Sequence, residues 1–231
     1  RGKIRKNHPR PKPQASGGGD VISRIMSAEA GNGERLAEAV RGQIAETASR
    51  FLREFSIPAL KKITVCGNTT MLHLLCGEDV SGIGRYPFTP VFTEFRSMPG
   101  GELGLPAGEV QLLPSVSAYV GADIVAGAVA AGLDREDALL VDIGTNGEML
   151  ASAGGKFVCT STAAGPCFEG ANIECGTGGV AGAIDSVRLN GGKIEYTTIG
   201  GGEPRGICGA GLVDALAVMC ESGAIDETGA F

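Results

Sequence analysis

From Glu34 onward, apolar side chains recur at Leu36, Val40, Ile44, Ala48, Phe51, Leu52 and Phe55. Steps of three and four residues keep to one face of an α-helix. Pro58 ends the pattern, because proline has no backbone N–H and clashes with the preceding turn. Residues 62–66 (KITVC) then form a short apolar run stopped by Gly67-Asn68, which predicts a buried strand. A second helix is predicted over 69–76, closing on Gly77. Residues 78–108 hold four prolines and several glycines and predict an irregular excursion. A strand is expected again at 110–113, then a helix of small residues over 116–133. Gly121 and Gly127 fall inside that helix, where each costs about 1 kcal/mol relative to alanine, so close packing is the expected reason for them.

After the charged stretch 134–137 the rhythm changes to short apolar runs at 138–143, 148–152 and 156–160. The links between them are short, 144–147 and Ala153-Gly154-Gly155, which predicts an antiparallel meander. A boundary is therefore expected at 134–137. Two glycine-rich stretches follow, AAGPCFEGANIECGTGGVAGA and IGGGEPRGICGAG, with a hairpin between them over 186–189 and 193–196 that turns on Asn190-Gly191-Gly192. The last helix is expected at 212–221, burying Leu212, Val213, Leu216 and Cys220 and closing on Gly223.

Composition narrows the partners. The 231 residues carry a net charge of -6, yet residues 1–12 (RGKIRKNHPRPK) are strongly basic and contain no acid. An acidic body argues against nucleic acid or an anionic membrane as the main partner, and no apolar run is long enough for a membrane span. Residues 1–16 read as a basic, proline-rich tail. Seven cysteines, Cys66, Cys76, Cys159, Cys167, Cys175, Cys208 and Cys220, are scattered without a CxxC pair. That pattern suits buried thiols in a reducing cytosol better than disulfides or a cluster site.

The stretch LLVDIGTNGEMLAS, residues 139–152, carries the candidate chemistry. Asn146-Gly147 is a strong hairpin signal, because both central residues of a type I′ turn need positive φ. A tight turn alone leaves Asp142 unexplained, at the end of an apolar strand where a carboxylate is costly to bury without a partner. It also leaves Gly144 and Thr145 unexplained. A phosphate site accounts for all of them: glycines let backbone N–H groups converge on an anion, Thr or Asn adds a donor, and Asp holds the water shell of Mg²⁺. Neither a Walker-type GxxxxGK[ST] loop nor a dinucleotide fingerprint is present.

DIGTNGE resembles a phosphate-binding hairpin of the actin, sugar-kinase and heat-shock-chaperone ATPase superfamily. VCGNTTMLHLLCG, GRYPFTPVF, LLVDIGTNGE, STAAGPCFEGA and IGGGEPRGICGAGLVDA together resemble the C-terminal ATPase region of reductive activators of corrinoid proteins, over about residues 14–231. The resemblance implies an α/β fold of two incomplete ribonuclease-H-like subdomains, with mixed sheets and flanking helices. Residues 17–135 would be the remainder of the first and 136–231 the start of the second. It implies ATP and Mg as cofactors, and a corrinoid iron–sulfur or corrinoid methyltransferase protein as partner, with a homodimer left open. Such activators use ATP to drive electrons from an iron–sulfur domain to the cobalt of the corrinoid protein, reducing Co(II) to Co(I). The clustered cysteines of the iron–sulfur domain, a first DxGTT-type strand and an adenosine-contacting GG segment are not found, so this chain is expected to carry no cluster and to bind nucleotide poorly alone. A non-catalytic docking module and a kinase of the same superfamily are the alternatives.

On these grounds Asp142 and Glu169 are the candidate catalytic residues, with Asp142 reaching Mg through water. Gly144, Thr145, Asn146, Gly147, Asn68 and Thr69 are the candidate nucleotide contacts. Each has a structural alternative. Asn68 and Thr69 sit where a strand meets a helix, and a helix N-terminus attracts anions, but Thr69 also reads simply as an N-cap. Glu169 could be a surface loop acid. Asp123 could pair across a cleft, and an exposed helical face is the simpler reading. His73, among Met71, Leu72, Leu74 and Leu75, reads as a hydrogen-bonded structural histidine.

Overall fold

A computed structural model describes residues 20–165, 170, 173–226 and 228–230. The chain divides into two compact units, one of Arg1–Val141 with Glu148–Ser161, the other of Asp142–Gly147 with Thr162–Phe231.

The first unit opens with helix α1 (Val21–Ser27), capped by the Asp20 carboxylate, which accepts from the Ser23 N–H at 2.7 Å. A π-helical turn, Ala28–Asn32, with Gly31 at φ 91, breaks the axis before helix α2 (Gly33–Glu54). Strand β1 (Leu60–Val65), helix α3 (Thr69–Cys76) and the short helix α4 (Ser81–Gly84) follow. Strand β2 (Arg96–Pro99), a 3-10 turn (Gly100–Leu103) and strand β3 (Ala107–Leu112) complete a sheet of order β1-β3-β2. β1 and β3 run parallel, and β2 is antiparallel to β3. Leu72 and Leu75 of α3 pack on Val110 and Leu112 of β3, with Phe92, Leu103, Leu105 and Ala122 around them. Val40, Ile44 and Ala45 of α2 close over that cluster, while Leu36 packs with Leu74, Ile25, Val80 and Ile83. Each fully buried Leu or Ile contributes roughly 1.5–3 kcal/mol; α2 supplies one of them, Leu36, and buries Ala37 and Ala48 beside it.

Helix α5 covers only Ala122–Ala131, not 116–133. Gly121 is its extended N-cap, and residues 116–120 form a tight loop in which the Val116 and Ser117 N–H groups donate to the Val120 carbonyl. Gly121 is thus at a helix start, where a Cβ would lie 2.5 Å from Asn68 Cα. Gly127 does serve close packing, since its Cβ would lie 3.1 Å from Leu140 Cδ2.

The meander forms as strands β4 (Ala138–Ile143), β5 (Asn146–Ala153) and β6 (Lys156–Ala163), in the order β4-β5-β6. Its Leu140, Leu150 and Cys159 pack with Val120, Ile124, Ala128 and Leu133. In the second unit, strands β7 (Ala183–Asn190), β8 (Lys193–Thr198) and β9 (Gly206–Ile207) make a sheet of order β8-β7-β9, against which helix α6 (Gly209–Glu221) lies.

Two expectations for this region change. α6 begins at Gly209, and Val213, Leu216 and Cys220 are exposed while Gly209, Gly211 and Val218 are buried. The helix turns its glycines, not its largest side chains, toward β7. The thiols are also less hidden than expected: Cys66, Cys175 and Cys220 are exposed and Cys208 is buried. Among the described residues no helix is long and apolar enough to cross a membrane.

Candidate functional site

β4 ends at Ile143 and β5 begins at Asn146, so the hairpin tip is Gly144-Thr145. This corrects the type I′ turn expected at Asn146-Gly147. Among the described non-glycine residues only Ser56 and Phe88 have positive φ, and neither Gly144 nor Gly147 has it. Paired positive-φ glycines occur instead at Gly154-Gly155, between β5 and β6, and at Gly191-Gly192, between β7 and β8. Gly147 is already inside β5, where a Cβ would meet Thr162 Cγ2 at 3.0 Å. Its lack of a side chain serves packing on β6.

Gly144 has neither explanation. Among the described residues, a Cβ there would meet nothing closer than the Asn146 carbonyl oxygen at 3.5 Å. Two backbone hydrogen bonds help pin the loop: Gly144 N–H donates to Asn146 O at 3.1 Å, and Gly165 N–H donates to Thr145 O at 2.9 Å. Glycine at a turn that needs no positive φ and leaves room for a Cβ leaves open backbone that another molecule can approach closely.

Asp142 is exposed, which corrects the argument that its carboxylate must be buried. Leu139, Val141 and Ile143 are themselves 63%, 47% and 79% exposed, so that face of the strand is open; Asp142 alternates onto the other face, with half-buried Ala138 and Leu140, and is exposed at its far end. Among the described residues the Asp142 side chain receives no hydrogen bond and no ion pair. An unpaired, hydrated carboxylate next to open backbone fits an outer-sphere position on a metal ion. The tip therefore gathers Asp142, Gly144, Thr145, Asn146 and Gly147. Glu169 lies outside the described residues.

Asn68 and Thr69 belong to the first unit. Asn68, not Thr69, caps α3: its Oδ1 accepts from Met71 N–H at 2.9 Å. Thr69 is buried, and its hydroxyl donates to the Ser117 carbonyl at 2.6 Å. Ala122 N–H donates to Gly67 O at 2.9 Å, so the starts of α3 and α5 are tied together at the Gly67-Asn68 turn. Asp123 is half-buried there, and its Oδ1 accepts from Ile124 N–H at 3.1 Å. Although Cys66 is exposed as a residue, partial desolvation of its thiol, with Asp123 adding to it, pushes the thiol pKa up. These polar groups already have structural work. Asn68→Ala should cost about 1 kcal/mol through the lost cap, read as faster amide exchange in α3.

Asp214 on α6 was not singled out by sequence reasoning. Its Oδ2 accepts from Val187 N–H at 3.1 Å, next to the irregularity in β7 between Ile184 and Ser186. Hydrogen bonds from the Ser186 side chain, then from the Val187 amide, hold its carboxyl below the ordinary pKa. The available signal was an acid set inside the apolar run GLVDALAV.

Residues 136–231 match the profile of the C-terminal domain of RACo, the ASKHA domain, which sets this mixed α/β chain in the actin-like ATPase class. Residues 1–136 match the RACo middle region, and the chain belongs to the RACo family. It is 36% identical over 225 residues to the corrinoid activation enzyme RamQ of Eubacterium limosum, with 94% of this chain and 38% of that protein aligned. It is 27% identical over 262 residues to the [Co(II) methylated amine-specific corrinoid protein] reductase of Methanosarcina barkeri, covering 97% of this chain and 47% of that protein. Among solved structures, a reductive activator for corrinoid, iron–sulfur protein superposes with a TM-score of 0.78 at 37% identity, covering 94% of this chain and 36% of its own. The chain thus spans less than half the length of these relatives.

Proposed function

We propose that this chain is the middle and ATPase segment of an ATP-dependent reductive activator of corrinoid proteins, and that its hairpin tip 142–147 receives the Mg-bound phosphates of ATP. Family membership supports the class. Gly144 carries the site, because neither its φ nor its packing against the described residues calls for glycine. In this reading Asp142 orients the metal's water shell, and the backbone and side chains of Gly144, Thr145 and Asn146 cradle phosphate oxygens. Bound ATP supplies the free energy that couples docking on the corrinoid protein to reduction of Co(II) to Co(I), with electrons from an iron–sulfur domain. Residues 17–135 serve as the remainder of the first ribonuclease-H-like subdomain, and 136–231 as the start of the second.

The test uses a full-length activator carrying residues 20–231 in place of its own segment. Mg-ATP binding by calorimetry is expected, and Gly144→Ala is expected to weaken it about tenfold, or roughly 1.4 kcal/mol, with thermal stability unchanged. Equal affinity in the variant overturns the phosphate assignment. Tight binding of corrinoid protein with no nucleotide binding at all would favour a docking module instead.

A further inference from the structure

His73 is completely buried on α3, and the ATPase reading makes no use of it. Its Nδ1 lies 2.8 Å from the Thr69 carbonyl oxygen. Its Nε2 lies 3.0 Å from the Val91 amide nitrogen and 3.3 Å from that of Phe92. A carbonyl only accepts and an amide only donates, so these partners assign the ring as neutral, with its proton on Nδ1 and its lone pair on Nε2. The ring also stacks on Phe92, with centroids 4.2 Å apart and planes 13° apart. The Arg96 guanidinium sits over the same Phe92 ring, 3.8 Å from its centroid.

Val91 and Phe92 end an aromatic excursion. Tyr86 is 87% exposed, and Phe88, at φ 58, stands edge-on to both Tyr86 and Tyr119. Phe92 is the point where the chain re-enters the core beside Leu72 and Leu75. The imidazole therefore joins α3 to the exact place where the excursion is anchored.

We propose that His73 is a protonation-sensitive latch: the neutral imidazole ties Val91 and Phe92 to α3, and a proton taken from solvent at Nε2 removes the acceptor and releases the excursion. The charged groups around it divide. Burial is the largest influence and pushes the imidazole pKa below its ordinary value. The Thr69 carbonyl, Glu78 and Glu94 oppose that shift, and Arg96 adds to it. Because the latched pKa lies below that of a free imidazole, about 6.5, the latch is at full strength above that pH. It weakens as pH falls from there toward the latched value.

Amide hydrogen exchange on the 231-residue chain tests this, with rates normalised to intrinsic exchange at each pH. Protection of Val91 and Phe92 is expected to fall by up to about tenfold per pH unit from roughly 6.5 down toward the latched pKa, while amides of β1 and β3 hold. His73→Phe keeps a ring in the stack and removes the acceptor, so both amides should be poorly protected and independent of pH. The imidazole ¹⁵N shifts, read in a His8→Gln background that leaves one histidine, should place the proton on Nδ1. Protection that stays flat, or that falls equally across β1 and β3, overturns the latch. A proton found on Nε2 at neutral pH overturns it even where His73→Phe fails to fold.

Discussion

Gly211→Ala should destabilise the second unit by about 2 kcal/mol, although alanine is the better helix former. A Cβ on Gly211 would overlap the Ile184 carbonyl oxygen and lie 2.9 Å from its carbonyl carbon and 3.0 Å from Ile207 Cγ1. Overpacking typically costs about 1–3 kcal/mol. Here the obstacle is strand backbone, which cannot rotate aside, so the cost belongs at the upper end. The helix-propensity gain of about 1 kcal/mol offsets only part of it. The strand would have to move while Cys208 N–H is bonded to that same Ile184 carbonyl at 3.0 Å. Gly42→Ala supplies the opposite sign within the same chain. Gly42 lies inside α2, and outside its own helical turns no described atom lies within 4 Å of its Cβ position, so alanine there should stabilise by about 0.5–1 kcal/mol. Two units need not unfold together, so amide exchange in α6 and β7 for the first variant, and in α2 for the second, is the measurement. Stabilisation by Gly211→Ala would show that α6 does not ride on β7 at backbone distance.

Those two glycines also show what could and could not be read in advance. Local patterning is enough for α2 and α3, because their apolar spacing and the Gly77 cap at φ 76 are short-range features. It is enough for the meander, because three apolar runs separated by two short turns have few other arrangements. It cannot tell Gly42 from Gly211, since only the approach of β7 separates them. For the same reason the stripe on α6 was misplaced: a run that is apolar on every side does not say which side meets a sheet. Strand β2 (RSMP) has no apolar alternation and exists because β3 lies beside it.

The candidate site divides along the same line. DIGTNGE located the hairpin, but its turn logic was wrong, since what Gly147 avoids is Thr162 on the neighbouring strand. The exposure of Asp142 was equally out of reach. Hydropathy shows that 138–143 is strand-like, and not how far along the strand the cover over Ala138 and Leu140 extends, which is what leaves Asp142 exposed on their face.

Asp142→Asn is expected to lower ATP turnover about 10–100-fold in a full-length activator carrying residues 20–231, the usual loss when an outer-sphere metal partner is removed. Stability should change by less than about 0.5 kcal/mol, as for an exposed residue with no partner among the described residues. Both halves follow from the same geometry. Asn keeps the shape of Asp and removes only the charge, so a drop in turnover would report attraction for a cation and not a rearranged strand. Raising Mg²⁺ should recover part of the loss, because the missing charge weakens the metal's hold. Asp137, at the start of the same meander, is the control. Its Oδ1 accepts from Gly154 N–H at 2.9 Å, a structural bond closing the β5–β6 turn. Asp137→Asn should leave turnover and its Mg²⁺ dependence as they are. Turnover unchanged by Asp142→Asn, or lowered equally by both variants, would remove Asp142 from the reaction and leave the hairpin as scaffold.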